Sequence, residues 1–254
     1  MSEPSSARSP AVGGVGDLPP DIQYVWHGVN DAENLRQFAL SPIEWGEIDV
    51  RLDADTGMLV AHHDPLINAA GRGAHGLLTV EEFVKTLLPL GKSFKFDLKE
   101  GGRTLRALFD LIRRFDIPDG RLWFNSYIEQ DCHIEEFPLI RSRYPGAIRQ
   151  CPIGPLRDRF GEDVKQLRGE LAARAAKGMN RFSVAWRGAE DASAITAQLE
   201  SSGYEVNIYD IPDLAAFLQA VLIKPRSLTA DFNFPEWGLF GRGSGEGGRY
   251  HTFG

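Results

Sequence analysis

The sequence predicts a single α/β domain of the (β/α)8 TIM-barrel class, and three observations carry that prediction. From Ile22 onward, eight short apolar segments with strand character alternate with longer amphipathic stretches, the pattern of parallel βα units. The chain of 254 residues is long enough for one such barrel. The Gly-x-Gly-x-x-Gly runs at Gly71–Gly76 and Gly243–Gly248 do not directly follow an expected strand, so the dinucleotide fingerprint of the rival doubly wound open sheet is missing from its place.

The elements follow in chain order. Residues 1–20 are rich in Ser, Pro and Gly and read as a flexible tail. The barrel is expected over 21–240, and the Gly-rich residues 241–254 read as a second loose end. Strands are expected at Ile22–Trp26, Trp45–Arg51, Phe94–Leu98, Arg121–Asn125, Ala147–Cys151, Arg181–Ala185, Tyr204–Ile208 and Ser227–Asp231. Helical periodicity fills the intervals at Asp31–Leu40, Val80–Leu88, Thr104–Phe115, Glu129–Arg143, Glu162–Lys177, Glu190–Ser201 and Leu214–Ile223. Thr79 followed by Glu82 predicts a capping box at the second helix. Gly178 and Gly203 stand just past two apolar repeats, where left-handed closing residues are favoured, and Pro212 stands just before the last helix. The segment from Leu52 to Leu78 is long for a βα loop and contains Met58–Ala61, a candidate extra strand. In a barrel this loop emerges at the C-terminal face, where active sites are built.

Composition excludes several function classes. A net charge of −7 argues against nucleic-acid binding, which needs a basic face to release counterions, and against electrostatic docking to anionic lipid. No apolar run is long enough to span a bilayer, and no secretory h-region is visible near the start. Cys132 and Cys151, the two cysteines, form neither a disulfide framework nor a metal spacing, so a reducing, cytoplasmic setting is expected.

The chemistry concentrates on two strands. Residues i and i+2 of a strand share a face, so Glu47 and Asp49 project together while Ile48, Val50 and Leu52 face the other way. The third strand repeats the pattern, with Lys95, Asp97 and Lys99 on one face and Phe94, Phe96 and Leu98 on the other. Buried carboxylates this close together are stable when a cation lies between them. Glu47, Asp49 and Asp97 therefore form a candidate metal site. Their hard oxygen ligands suit Mg²⁺ or Ca²⁺ rather than zinc. Lys99 at the rim is a candidate cation for a phosphate oxygen. His27 directly follows the first strand, and His63 lies in the long second loop with Asp64 beside it to fix its tautomer; His62 is the competing neighbour. Asn125, Tyr127 and Trp123 share a face of the fourth strand and are candidate pocket residues, with barrel core as the other reading of Trp123.

Together, His27-Gly28, Glu47-x-Asp49-Val50 and Val60-Ala61-His62-His63-Asp64-Pro65 resemble the glycerophosphodiester phosphodiesterase signature, within the superfamily that includes phosphatidylinositol-specific phospholipase C and sphingomyelinase D. Phe96-Asp97-Leu98-Lys99 resembles the Asp-x-Lys strand of the sphingomyelinase D branch. Trp26-His27-Gly28-Val29-Asn30, Ala61-His62 and Leu122-Trp123-Phe124-Asn125 are also similar to the menorin family. The resemblance implies a barrel of the phospholipase C-like type and a divalent cation. It also implies His/His acid–base cleavage of a small-molecule or lipid-derived phosphodiester, with a substrate hydroxyl or water as nucleophile. The sequence departs from the family at Gly28, where the phosphodiesterases carry a phosphate-binding arginine. Their Pro-Glu-Asn-Thr segment is present only as Ala32-Glu33-Asn34-Leu35. Two rivals are a menorin-like binding module without turnover and a barrel lyase or aldolase using Lys95 or Lys99 as a Schiff-base nucleophile.

Overall fold

The computed structural model describes residues 18–66, 76–126, 134–157 and 164–230. Its strands are β1 (Gln23–Trp26), β2 (Trp45–Leu52), β3 (Leu59–Ala61), β4 (Ser93–Leu98), β5 (Leu122–Ser126), β6 (Ile148–Pro152), β7 (Arg181–Ala185), β8 (Glu205–Ile211) and β9 (Ser227–Ala230). The helices are α1 (Ala32–Leu40), α2 (Val80–Leu87), α3 (Arg103–Arg114), α4 (Phe137–Arg143), α5 (Gly154–Arg157), α6 (Val164–Ala176), α7 (Ala189–Ser201) and α8 (Leu214–Ile223). Parallel pairing runs β1-β9-β8-β7-β6-β5-β4-β2, and β1 pairs with β2 to close the ring. The expected (β/α)8 barrel is thus the observed fold. The short strand expected at Met58–Ala61 is β3, an antiparallel appendage on Val50–Leu52 of β2.

Local chemistry explains the boundaries. Asp31 caps α1 by accepting the Asn34 amide at 2.8 Å. Thr79 and Glu82 form the expected capping box on α2. Gly178 and Gly203 both adopt positive φ, as their positions predicted. The helix expected over Glu129–Arg143 is shorter among the described residues. It begins at Phe137 after a 3-10 turn, because Pro138 lacks an amide proton and fits only in a first turn.

The core has two parts. Outward-facing strand residues such as Ile48, Val50, Phe94, Phe96 and Phe124 pack under the helices in one large cluster. Inside the barrel, Val25, Trp45 and Trp123 form a separate small cluster with Ile148 against it. Trp45 and Trp123 meet edge to face at 5.5 Å. Below them, near the N-terminal strand ends, buried Arg181 pairs with Glu205, donates to Gln23 and Ser227, and lies over the Trp123 ring at 4.5 Å. These groups plug the lower barrel, so the polar inner residues above them sit in a cup open at the C-terminal rim.

Candidate active site

Strand register assembles the site. Asp49 of β2 lies opposite Asp97 of β4, Asp97 opposite Asn125 of β5, and Asn125 opposite Gln150 of β6. Hydrogen bonds follow that row: Asn125 donates to Asp97 Oδ1 at 2.8 Å, and Gln150 donates to Asn125 Oδ1 at 2.9 Å. One residue pair lower, Glu47 faces Lys95 and Lys95 faces Trp123. Ligand atoms of Glu47, Asp49 and Asp97 all lie within 4.8 Å of one another, and all three residues are buried. The alternation that predicted this triad therefore brings it together.

The chain leaving β1 completes the cluster. Gly28 has φ of +68°, a conformation that glycine adopts freely. Its amide donates to Glu47 Oε2 at 2.7 Å, and the next amide, Val29, donates to the Glu47 carbonyl at 2.8 Å. Asn30 then brackets Asp49, giving its side-chain amide to Oδ2 at 2.6 Å and accepting the Asp49 amide at 3.0 Å. Asn30 carries a site role that strand alternation could not show, because its contact is made from a loop. His27 places Nε2 at 3.6 Å from Glu47 Oε2.

Lys99 is drawn into the carboxylates. Its Nζ lies 2.9 Å from Asp49 Oδ1 and 2.7 Å from Asp97 Oδ2. Burial alone would lower its pKa, but Asp97, Asp49 and Glu47 outweigh burial and hold it above the usual lysine range. Asp97 shows the reciprocal balance. Burial would raise it, yet the Lys99 charge and hydrogen bond, with Lys95 and Asn125, bring it down to about 2. Burial pushes Glu47 up to about 7; His27 and Lys95 oppose that rise, and Asp49 and Asp97 add to it. Although Lys99 ion-pairs with Asp49 Oδ1, that buried oxygen makes no well-directed hydrogen bond among the described residues. Three buried carboxylates, one with an oxygen that has an ion contact but no well-directed hydrogen bond among the described residues and one whose pKa burial raises, fit a hard divalent cation.

A cavity of about 380 Å³ opens over the cluster. His27, Glu47, His63, Lys95, Asp97, Lys99 and Asn125 line it, and Gln150, Pro152, Ser183, Tyr209, Asp210 and Thr229 form the rest of its wall. The two histidines predicted to work together thus meet in one cavity. His63 Nδ1 lies 2.9 Å from Asp64 Oδ1, so the expected tautomer-fixing contact is present. His62 instead lines a neighbouring cavity of about 630 Å³ with Asn30, Thr79 and Glu82. Trp123 belongs to the core plug rather than to the lining residues. Tyr127 lies outside the described residues. On the far wall the β8–β9 register shifts between Ile208 and Ile211, and Asp210 takes φ of +56°. Such a bulge re-aims side chains at a barrel rim, and Tyr209 and Asp210 line the cavity here.

No protein-family model matches the chain, and no curated protein matches it in sequence. Solved structures do resemble it in fold. A glycerophosphodiester phosphodiesterase from Parabacteroides distasonis superposes with a TM-score of 0.61 at 15% identity, over 82% of this chain and 92% of that one. An Oleispira antarctica phosphodiesterase, solved with its product sn-glycerol-3-phosphate, gives 0.58 at 17% identity over 84% and 92%. A 2,3-dimethylmalate lyase gives 0.51 at 14% identity over 87% and 78%. At these identities the likeness establishes the barrel, and the chemistry has to be argued from the site.

Proposed function

We propose that this chain is a metal-dependent phosphodiesterase acting on a small-molecule or lipid-derived phosphodiester. The observation that carries the reading is the shared cavity: His27 and His63 line it together with Glu47, Asp97 and Lys99. Glu47, Asp49 and Asp97 would hold the cation, Mg²⁺ or Ca²⁺ by their all-oxygen chemistry. When bound, such an ion offsets negative charge on the phosphoryl oxygens.

The protein's own groups do the rest. Asp64 accepts from His63 Nδ1, which places the proton there and makes Nε2 the basic nitrogen of the ring. His27 places Nε2 3.6 Å from Glu47 Oε2, at the carboxylate end of the cavity. One histidine takes the proton from the attacking hydroxyl or water, and the other returns one to the leaving oxygen. Lys99, held cationic by its carboxylate neighbours, adds positive charge at the cavity wall. Its raised pKa is the opposite of what a Schiff-base nucleophile needs, which disfavours the lyase reading for Lys99.

Gly28 favours a second reading, a binding module on the same barrel without turnover. It has no side chain to offer a phosphate, and its amide is committed to Glu47. A panel of aryl and alkyl phosphodiesters with Mg²⁺ or Ca²⁺ separates the two readings. Cation-dependent cleavage that chelator abolishes supports the enzyme. Cation binding with no cleavage across the panel sinks the enzyme reading and leaves the binding module.

A further inference from the structure

We propose that Arg51 and Glu100 form a clamp that positions His63, an inference that rests on the phosphodiesterase reading for its catalytic consequence. Arg51 lies two residues beyond Asp49 on β2, with its side chain 10% exposed. Two of its nitrogens, Nε and Nη2, donate to the His63 main-chain carbonyl at 3.2 and 2.8 Å. Its third, Nη1, donates to Glu100 Oε1 at 3.0 Å. Glu100 Oε2 in turn accepts the Leu52 amide at 3.3 Å and the Thr104 hydroxyl at 3.1 Å, which ties the clamp to β2 and to the start of α3.

The position of His63 explains why a clamp is needed. Ladder pairing between β2 and β3 ends at Ala61, and the His62 amide makes one further bond, to the Asp49 carbonyl at 3.2 Å. Beyond it the chain has left the sheet, so His63 sits on loop backbone rather than on a strand. The guanidinium fork holds its carbonyl, while Asp64 orients its ring. Arg51 is not among the residues lining the cavity, so it acts through His63 and is a positioning residue. A lysine has no planar fork to bridge two acceptors at fixed angles. Misplacing a reacting group by about 1 Å can cost about 100-fold in rate.

The test compares wild type with R51M, R51K and the milder E100Q, following the His63 and His27 ring Cε1–H resonances by NMR and, in parallel, turnover with Mg²⁺. In R51M the His63 resonance should shift or broaden while the His27 resonance holds, and E100Q should move His63 in the same sense by less. R51M should lower kcat by about 10- to 100-fold with KM and Mg²⁺ affinity little changed, R51K should recover part of the loss, and R51M/H63A should be no slower than H63A. An unmoved His63 resonance in both R51M and E100Q overturns the clamp, as does a double variant in which the two losses multiply. If R51M moves His63 but wild type cleaves no diester, the clamp stands and the phosphodiesterase reading fails.

Discussion

Glu47 should make metal binding depend on pH near neutrality. Burial, reinforced by Asp49 and Asp97, raises its pKa from 4.5 to about 7 in the metal-free protein. A cation has to displace that proton. With a midpoint near 7, about 3% of Glu47 is ionised at pH 5.5 and nearly all at pH 8.5, so apparent affinity should differ by about 30-fold. Isothermal titration with Mg²⁺ at the two pH values measures the ratio. Repeating it near pH 6 in buffers of different ionisation enthalpy counts close to one proton released per ion. E47Q should bind more weakly, with the steep pH dependence gone. The same shift sets a sign for stability. The folded pKa lies above the unfolded one, so the contribution is complete below pH 4.5 and is lost as pH rises through 7. Over that window the metal-free protein should lose about 3 kcal/mol on this account alone, read by urea melts at stepped pH. Equal Mg²⁺ affinity at both pH values, with no proton release, would refute the assignment of Glu47 as a buried, protonated ligand.

Other expectations follow from named contacts. H27A and H63A should each lower turnover by about 10²–10⁴-fold with metal affinity little changed, while H62A, whose ring lines the neighbouring cavity, should be mild; full activity in both histidine variants would overturn the acid–base pair. D49N should weaken metal binding by isothermal titration, since the buried Asp49 Oδ1 has an ion contact with Lys99 and no well-directed hydrogen bond among the described residues. W123A should cost about 3–5 kcal/mol in urea melts, because Trp123 is wholly buried in the barrel plug. G46A should cost about 1–3 kcal/mol, because its added carbon would collide with the Phe38 ring of α1.

Much of the fold was legible because two local patterns agree. Ile48, Val50, Phe94 and Phe96 mark the face under the helices, and Glu47, Asp49, Lys95 and Asp97 mark the inside of the barrel. That period of two located the carboxylate triad before any partner was known. What escaped depends on contacts distant in sequence or on backbone exceptions. Asn30 brackets Asp49 across 19 residues, and Arg51 reaches Glu100 across 49. Gln150 joins the site through register with Asn125, which a single strand does not reveal. α8 closes on Lys224 in the left-handed region, where the sequence offers no glycine to announce it. The bulge at Tyr209–Asp210 extends β8 past the expected end at Ile208, because Asp210 also takes a left-handed conformation rather than continuing the ladder.

The most direct test of a metal-dependent phosphodiester site is a crystal structure with Mn²⁺ and inorganic phosphate, using the ion's anomalous signal. The account predicts a peak ligated by Glu47, Asp49 and Asp97, Lys99 drawn away from Asp49, and phosphate between His27 and His63. No peak at the triad, with Lys99 still bridging Asp49 and Asp97 and phosphate absent from the cavity, would contradict it.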